Sequence, residues 1–203
     1  MVTVQSLITS MVQLLIFSLI PYIWWLVTSR KKEKFLHWIG LKKPIIKNNK
    51  RFFLLFFCSI IIFSLPTLII LPLLVKSSSI ATSQFSGKGF SVLIPVLLFA
   101  FAQTSLSEEI FFRGFINKRL ISTFGFTIGN SCQSILFGLL HGVLIYSSAG
   151  IYSAVIVAVI ISFGGWIMGY INEKETNGSI IPSWMFHAAA NLITSFLSMF
   201  SLL

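Results

Sequence analysis

The chain has 203 residues, 56% of them hydrophobic and only 10% charged, with 21 Phe and a formal net charge of +10. A mean hydropathy of +0.92 excludes an ordinary cytosolic enzyme, a secreted disulfide scaffold and a disordered tail. Nor does the positive charge point to nucleic acid, because nine of the fifteen Lys and Arg residues crowd between Arg30 and Arg51, a short segment between apolar runs. Such clustering is a topology signal of membrane proteins.

A helix that crosses the hydrocarbon core takes about 20 apolar residues. The first such stretch, 5–28, precedes the first charge at Arg30. It lacks a basic leader and a small-residue cleavage site, so it reads as a retained helix rather than a signal peptide. The basic segment 29–51 follows and is placed in the cytoplasm, with the N-terminus outside. Its "RKKEK" and "KKPIIKNNKR" runs also suit anionic lipid head groups. A second helix is expected over 52–75, then an external loop "KSSSIATSQFSGKG" from Lys76 to Gly89. The third, 90–123, carries Arg113, Lys118 and Arg119 toward its end, and alternation puts these on the cytoplasmic side with the basic loop. A turn at Phe124–Gly125 leads to a fourth helix, 126–146. The stretch "YSSAG" (Tyr146 to Gly150) separates it from a fifth, 151–171, and "NEKETNGS" precedes a sixth, 180–203. The fold class is therefore all-α: a polytopic membrane protein of about six transmembrane helices, forming one structural domain. Cys58 and Cys132 lie in predicted spans without C-x-x-C spacing and read as packing residues.

The acids are five Glu and no Asp, and Glu33, Glu173 and Glu175 fall in predicted cytoplasmic loops. Glu108 and Glu109 do not. Ionisable groups inside a span are functional suspects, since an unpaired charge there costs roughly 2.5–3.5 kcal/mol on the insertion scale. Spacing separates the two: Glu109 shares a helix face with Arg113 four residues on, whereas Glu108 points about 100° away. Glu108 must then find a partner on another helix, hold water or stay protonated. From Glu108 to the turn is about sixteen residues, and from the turn to His141 about sixteen again, roughly 24 Å each way. An antiparallel pair brings them to one depth. His187 and Asn191, four apart, share a face of the last helix. Gly138 and Gly142 flank His141 and permit close helix packing. Within the spans Glu108, His141, His187 and Asn191 stand out as strongly polar groups, and they suggest a shared site.

"EEIFFR" (Glu108 to Arg113), "FGLLH" (Phe137 to His141) and "HAAAN" (His187 to Asn191) resemble, in order, the motifs E-E-x-x-x-R, F-x-x-x-H and H-x-x-x-N. These belong to the CAAX protease and bacteriocin-processing family of intramembrane endopeptidases, also called the Abi family. The resemblance covers about residues 90–203 as a catalytic core, while 1–89 supply two helices and the basic loop without a motif. It implies that Glu108 is the catalytic carboxylate that activates water. It further implies that Glu109 and Arg113 form a structural pair, that His141 orients the water, and that His187 with Asn191 stabilises the oxyanion. Peptide hydrolysis needs such a set of base, proton donor and oxyanion donors. The residues leave open a second chemistry in which Glu108, His141 and His187 hold a divalent metal such as zinc.

The expectation is an intramembrane endopeptidase with a polypeptide substrate and contact with membrane lipid, without nucleic acid, in the plasma membrane of a low-GC bacterium. Bacteriocin or peptide processing, or self-immunity, would be its context. The alternative is a non-enzymatic bacteriocin-immunity or binding protein on the same fold. A small transporter or proton relay would show paired broken helices and internal pseudo-symmetry, which the sequence lacks. Neither the substrate nor the oligomeric state is legible.

Overall fold

The computed structural model describes residues 2–74 and 80–202, and among them there is no strand. Helix α1 (Val2–Thr28) is followed by one helical turn at Phe35–Trp38 and by α2 (Asn49–Leu74). Helix α3 (93–124) opens at Leu93–Leu97. It runs on with helical backbone through Leu98–Leu106 and Glu109–Asn117, both wound in the wider π form, into the start of Lys118–Tyr170. That last segment is cut twice by glycines at positive φ, Gly125 (φ 78°) and Gly150 (φ 76°). Only glycine adopts such angles cheaply, so each marks a reversal with almost no loop. The cuts define α4 (126–149) and α5 (151–175), and α6 (Ile181–Met199) completes the bundle.

The expected helices and both expected breaks are therefore present, with shifts at the ends. The fifth helix continues through Ile171–Glu175, so Glu173 and Glu175 sit on its last turn rather than in a loop. The expected external loop begins outside the described residues; from Ile80 on it folds into short turns at Ala81–Phe85 and Gly89–Val92. Cys58 and Cys132 correct the packing expectation, for both are exposed on apolar helix faces.

Helix α3 is central, packing against α1 on one side and α6 on another. Helices α4 and α5 press together where glycine replaces a side chain: a Cβ on Gly138 would stand 2.2 Å from the Ala158 carbonyl oxygen. On Gly142 it would stand 2.8 Å from that of Ala154. Close backbone approach of this kind is the way helices associate where lipid removes the hydrophobic drive.

The two ends of the bundle differ. At one, the 29–51 segment docks on α3, α5 and α6: Ile180 N–H donates to the Gly40 carbonyl (2.8 Å) and Ser179 Oγ to that of Lys42 (2.6 Å). Lys118 Nζ donates to Glu173 Oε1 and to the Gly178 carbonyl, each at 2.8 Å. The basic loop and Lys118 thus share one end, as alternation required. At the other end Phe85, Val92, Val96, Phe99 and Met199 form a small apolar cluster, and Ser198 Oγ donates to the Thr82 carbonyl (2.8 Å).

Two stretches, Val2–Thr28 and Gly89–Glu175, are long and apolar enough to cross a membrane. Of α1 only Ser10 and Pro21 are buried, while Leu15, Ile16 and Val27 stand exposed. An apolar periphery of that kind would aggregate in water and is at rest in lipid.

Candidate active site

On α3 the first motif opens with Glu108 at the junction of the two π-wound segments and runs from Glu109 to Arg113 within the second. Wide turns of this kind are frequent at functional sites. Two backbone oxygens of the first segment accept side-chain donors: Phe99 O takes the Thr104 hydroxyl (2.8 Å) and Phe101 O the Trp184 indole N–H of α6 (2.7 Å). The segment leading into Glu108 is thereby fastened to α6.

Glu109 and Arg113 are each fully buried, with Arg113 Nη1 3.0 Å from Glu109 Oε1. The N–H does not point along that line, so the contact is an ion pair rather than an aligned hydrogen bond. Glu109 does more than the expected pairing. Its Oε1 also lies 3.2 Å from His187 Nδ1, and its Oε2 accepts the Ser183 hydroxyl. Ser183 in turn accepts from Asn172 Nδ2 (2.7 Å), and its backbone N–H donates to Asn172 Oδ1 (3.3 Å). Arg113 lies with its guanidinium carbon 4.0 Å from the centroid of the Phe137 ring, and its Nη2 meets Met168 Sδ at 3.9 Å. A buried charge needs this many partners to be tolerated.

Glu108, His141, His187 and Asn191 line one cavity of about 500 Å³, together with Thr104 and Phe137. The depth argument for Glu108 and His141 thus holds despite the π turns. Glu108 Oε2 is buried without a hydrogen-bond partner and lies 3.8 Å from His187 Nε2. His141 Nδ1 lies 2.9 Å from the Phe137 carbonyl, which can only accept, so Nδ1 carries the hydrogen and the neutral ring keeps a lone pair on Nε2. The Phe137 ring, 4.5 Å from the His141 ring, 6.0 Å from that of His187 and under Arg113, holds three functional groups in place. Asn191 Nδ2 donates to Thr104 Oγ1 (2.8 Å) and Ser105 Oγ (3.1 Å), so its amide hydrogens already have partners.

Sequence reasoning missed Ser183, Asn172, Thr104 and Ser105. A signal for Ser183 was present: Ser183, His187 and Asn191 recur every four residues as one polar stripe on α6. Asn172 was hidden by its assignment to a loop. As for metal, among the described residues no three His, Cys, Asp or Glu side chains form a group that could hold an ion. Glu108, His141 and His187 share the cavity without making a ligand set.

An all-helical, lipid-suited bundle that buries Glu109 against Arg113 and His187, and sets Glu108, His141, His187 and Asn191 around one cavity, has the makings of a membrane hydrolase. Residues 90–193 match the family of type II CAAX prenyl endopeptidase Rce1-like proteins, and the chain belongs to that family. The family acts on polypeptides, and all three motifs lie within the matched residues. No curated protein and no solved structure matches the chain.

Proposed function

We propose that the protein is a glutamate-dependent intramembrane endopeptidase. The observation that carries the reading is the unpartnered Glu108 Oε2 inside the cavity, facing His187 Nε2 at 3.8 Å and sharing the space with the lone pair of His141. Glu108 takes a proton from water while His141 Nε2 accepts the water's other hydrogen and fixes its direction. The hydroxyl oxygen adds to the scissile carbonyl carbon. The C–N bond then breaks as Glu108 passes its proton to the leaving amine.

His187 is the oxyanion donor by position, since its ring lines the cavity with Nε2 3.8 Å from Glu108 Oε2. Glu109 orients that ring by accepting from Nδ1, as a carboxylate orients the histidine of a hydrolytic triad. Asn191, held by Thr104 and Ser105, braces α6 against α3 and turns to the oxyanion only by releasing one of them.

Six membrane crossings, with the 29–51 end in the cytoplasm of a bacterial plasma membrane, complete the reading. Processing of a bacteriocin or other small peptide, or self-immunity, is its context. The test is cleavage of a peptide library by the wild type and by Glu108→Ala in liposomes, at equal expression and with and without chelator. Cleavage lost in the variant alone is expected; equal cleavage overturns the proposal, and loss on chelation transfers the water to a metal. Bacteriocin protection that survives Glu108→Ala would favour the non-enzymatic immunity reading.

A further inference from the structure

Toward the basic end, the bundle contains polar side chains that the reaction does not use. Asn117 on α3 and Asn130 and Gln133 on α4 are all 0% exposed. Both side-chain atoms of Asn117 and Gln133, Oδ1 of Asn130, and Nε of Arg113 lack hydrogen-bond partners. Only Asn130 Nδ2 is engaged, donating to the Trp166 carbonyl at 2.9 Å. Native interiors leave few such groups unmatched, and a cluster of them indicates a ligand.

The groups converge. A Cβ on Gly169 of α5 would lie 1.8 Å from Asn130 Oδ1 and 3.2 Å from Asn117 Nδ2, so the Asn130 amide oxygen takes the place of a side chain at 169 and the Asn117 amide stands beside the same glycine. One turn earlier, a Cβ on Gly165 would meet Arg113 Nη2 at 3.3 Å and Phe137 Cδ1 at 3.4 Å. Gln133 shares its helix face with Phe137, four residues on. The polar set therefore abuts Arg113 and Phe137, and Phe137 lines the Glu108 cavity.

Their chemistry selects the occupant. The unmatched donors are Asn117 Nδ2, Gln133 Nε2 and Arg113 Nε; the unmatched acceptors are Asn117 Oδ1, Asn130 Oδ1 and Gln133 Oε1. An anion would face three carbonyl oxygens, and a cation would face the guanidinium. Water, which donates and accepts, suits all six.

We propose that Asn117, Asn130 and Gln133, with the Nε edge of Arg113, form a buried water site that supplies the hydrolytic cavity; the supply role rests on the protease reading, the site itself does not. Each cleavage consumes one water, whose hydroxyl goes to the carbonyl and whose hydrogen goes to the amine. The cavity wall beyond the motif residues is largely apolar, including Leu144, Val157 and Ile160, with the hydroxyls of Thr82, Thr104 and Thr194 as its other polar groups.

Two measurements on the full chain test this. An experimental density map that resolves ordered solvent is expected to show water within hydrogen-bond distance of Asn117, Asn130 and Gln133. Amides paired directly with one another, with no solvent density, would overturn the site whether or not the protein cleaves anything. In cleavage kinetics, Asn117→Leu, which removes the polar group, is expected to lower kcat about tenfold at unchanged KM. Asn117→Ser, which leaves room for an added water, stays within about twofold of wild type. Equal kcat in all three, or an equal loss in both variants, overturns the supply role. Gln133→Met repeats the test should Asn117→Leu fail to fold, with the same fall in kcat expected and an unchanged kcat counting against it.

Discussion

Glu108 and Glu109 are neighbours in sequence and opposites in circumstance. Glu109 is fully buried and meets Arg113, His187 and Ser183. Glu108 looks into a cavity, and its Oε2 has no hydrogen-bond partner. Both carboxylates sit in an apolar bundle, yet only one is neutralised by its own surroundings. A carboxylate with both oxygens engaged holds structure, whereas one with an oxygen in reserve can take a proton from something else. One residue of helical rotation separates the two roles.

The sharpest way to break the comparison is to neutralise each glutamate in turn. Glu108→Gln keeps the shape and removes the base, so cleavage is expected to fall on the order of 10³-fold while the thermal midpoint is unchanged. Glu109→Gln leaves the Arg113 guanidinium uncompensated in the interior. Stability is then expected to drop by about 3–5 kcal/mol, read by thermal or denaturant unfolding in detergent. Replacing both members, Glu109→Leu with Arg113→Met, is expected to recover most of that stability without recovering cleavage, because His187 still lacks its orienting carboxylate. If Glu108→Gln were the less stable protein and Glu109→Gln the inactive but stable one, the assignment of the two roles would be inverted.

The same contrast explains what could be read from the sequence. The helices were legible because charge-free runs of span length have no other stable form in lipid, and Gly125 and Gly150 fell where the breaks were expected. The cavity set was legible because Glu108, His141, His187 and Asn191 are conspicuous against apolar neighbours. The support around Glu109 was not, since Ser183 and Asn172 are residue types that usually mean nothing in a helix, and only their contacts give them a task. The π winding of α3 was equally hidden, for no residue type encodes it. Cys58 and Cys132 were misplaced because apolar composition does not say which face of a lipid-exposed helix looks outward.

Ser183 brings the comparison to a smaller scale. Ser183→Ala deprives Glu109 Oε2 of a donor and Asn172 Nδ2 of an acceptor, both in the buried half of the site. Unfolding is expected to register a loss of about 1–3 kcal/mol, with KM unchanged because Ser183 does not line the cavity. A variant as stable as wild type would mean that Glu109 does not depend on the Ser183 hydroxyl.

Two Glu–Arg pairs in this molecule share a separation of 3.0 Å, which isolates burial as the variable. Arg113–Glu109 has side chains 0% exposed, whereas Arg51–Glu175 joins a 57% exposed arginine to a 7% exposed glutamate at the basic end. In the second pair solvent screens the attraction and can take over the glutamate's oxygens if the arginine leaves. Arg51→Ala is therefore expected to cost about 0.2–1 kcal/mol in an unfolding experiment, and less as salt is raised. Arg51 Nη2 also donates to Tyr170 OH (2.7 Å), which ties α2 to α5 through the same side chain. A Tyr170→Phe background separates that tie from the ion pair: if removing Arg51 there costs nothing measurable, the hydroxyl contact and not the charge holds α2 at this end. A cost as large as that of Glu109→Gln would instead show that the basic end is screened from water far better than the exposure of Arg51 implies.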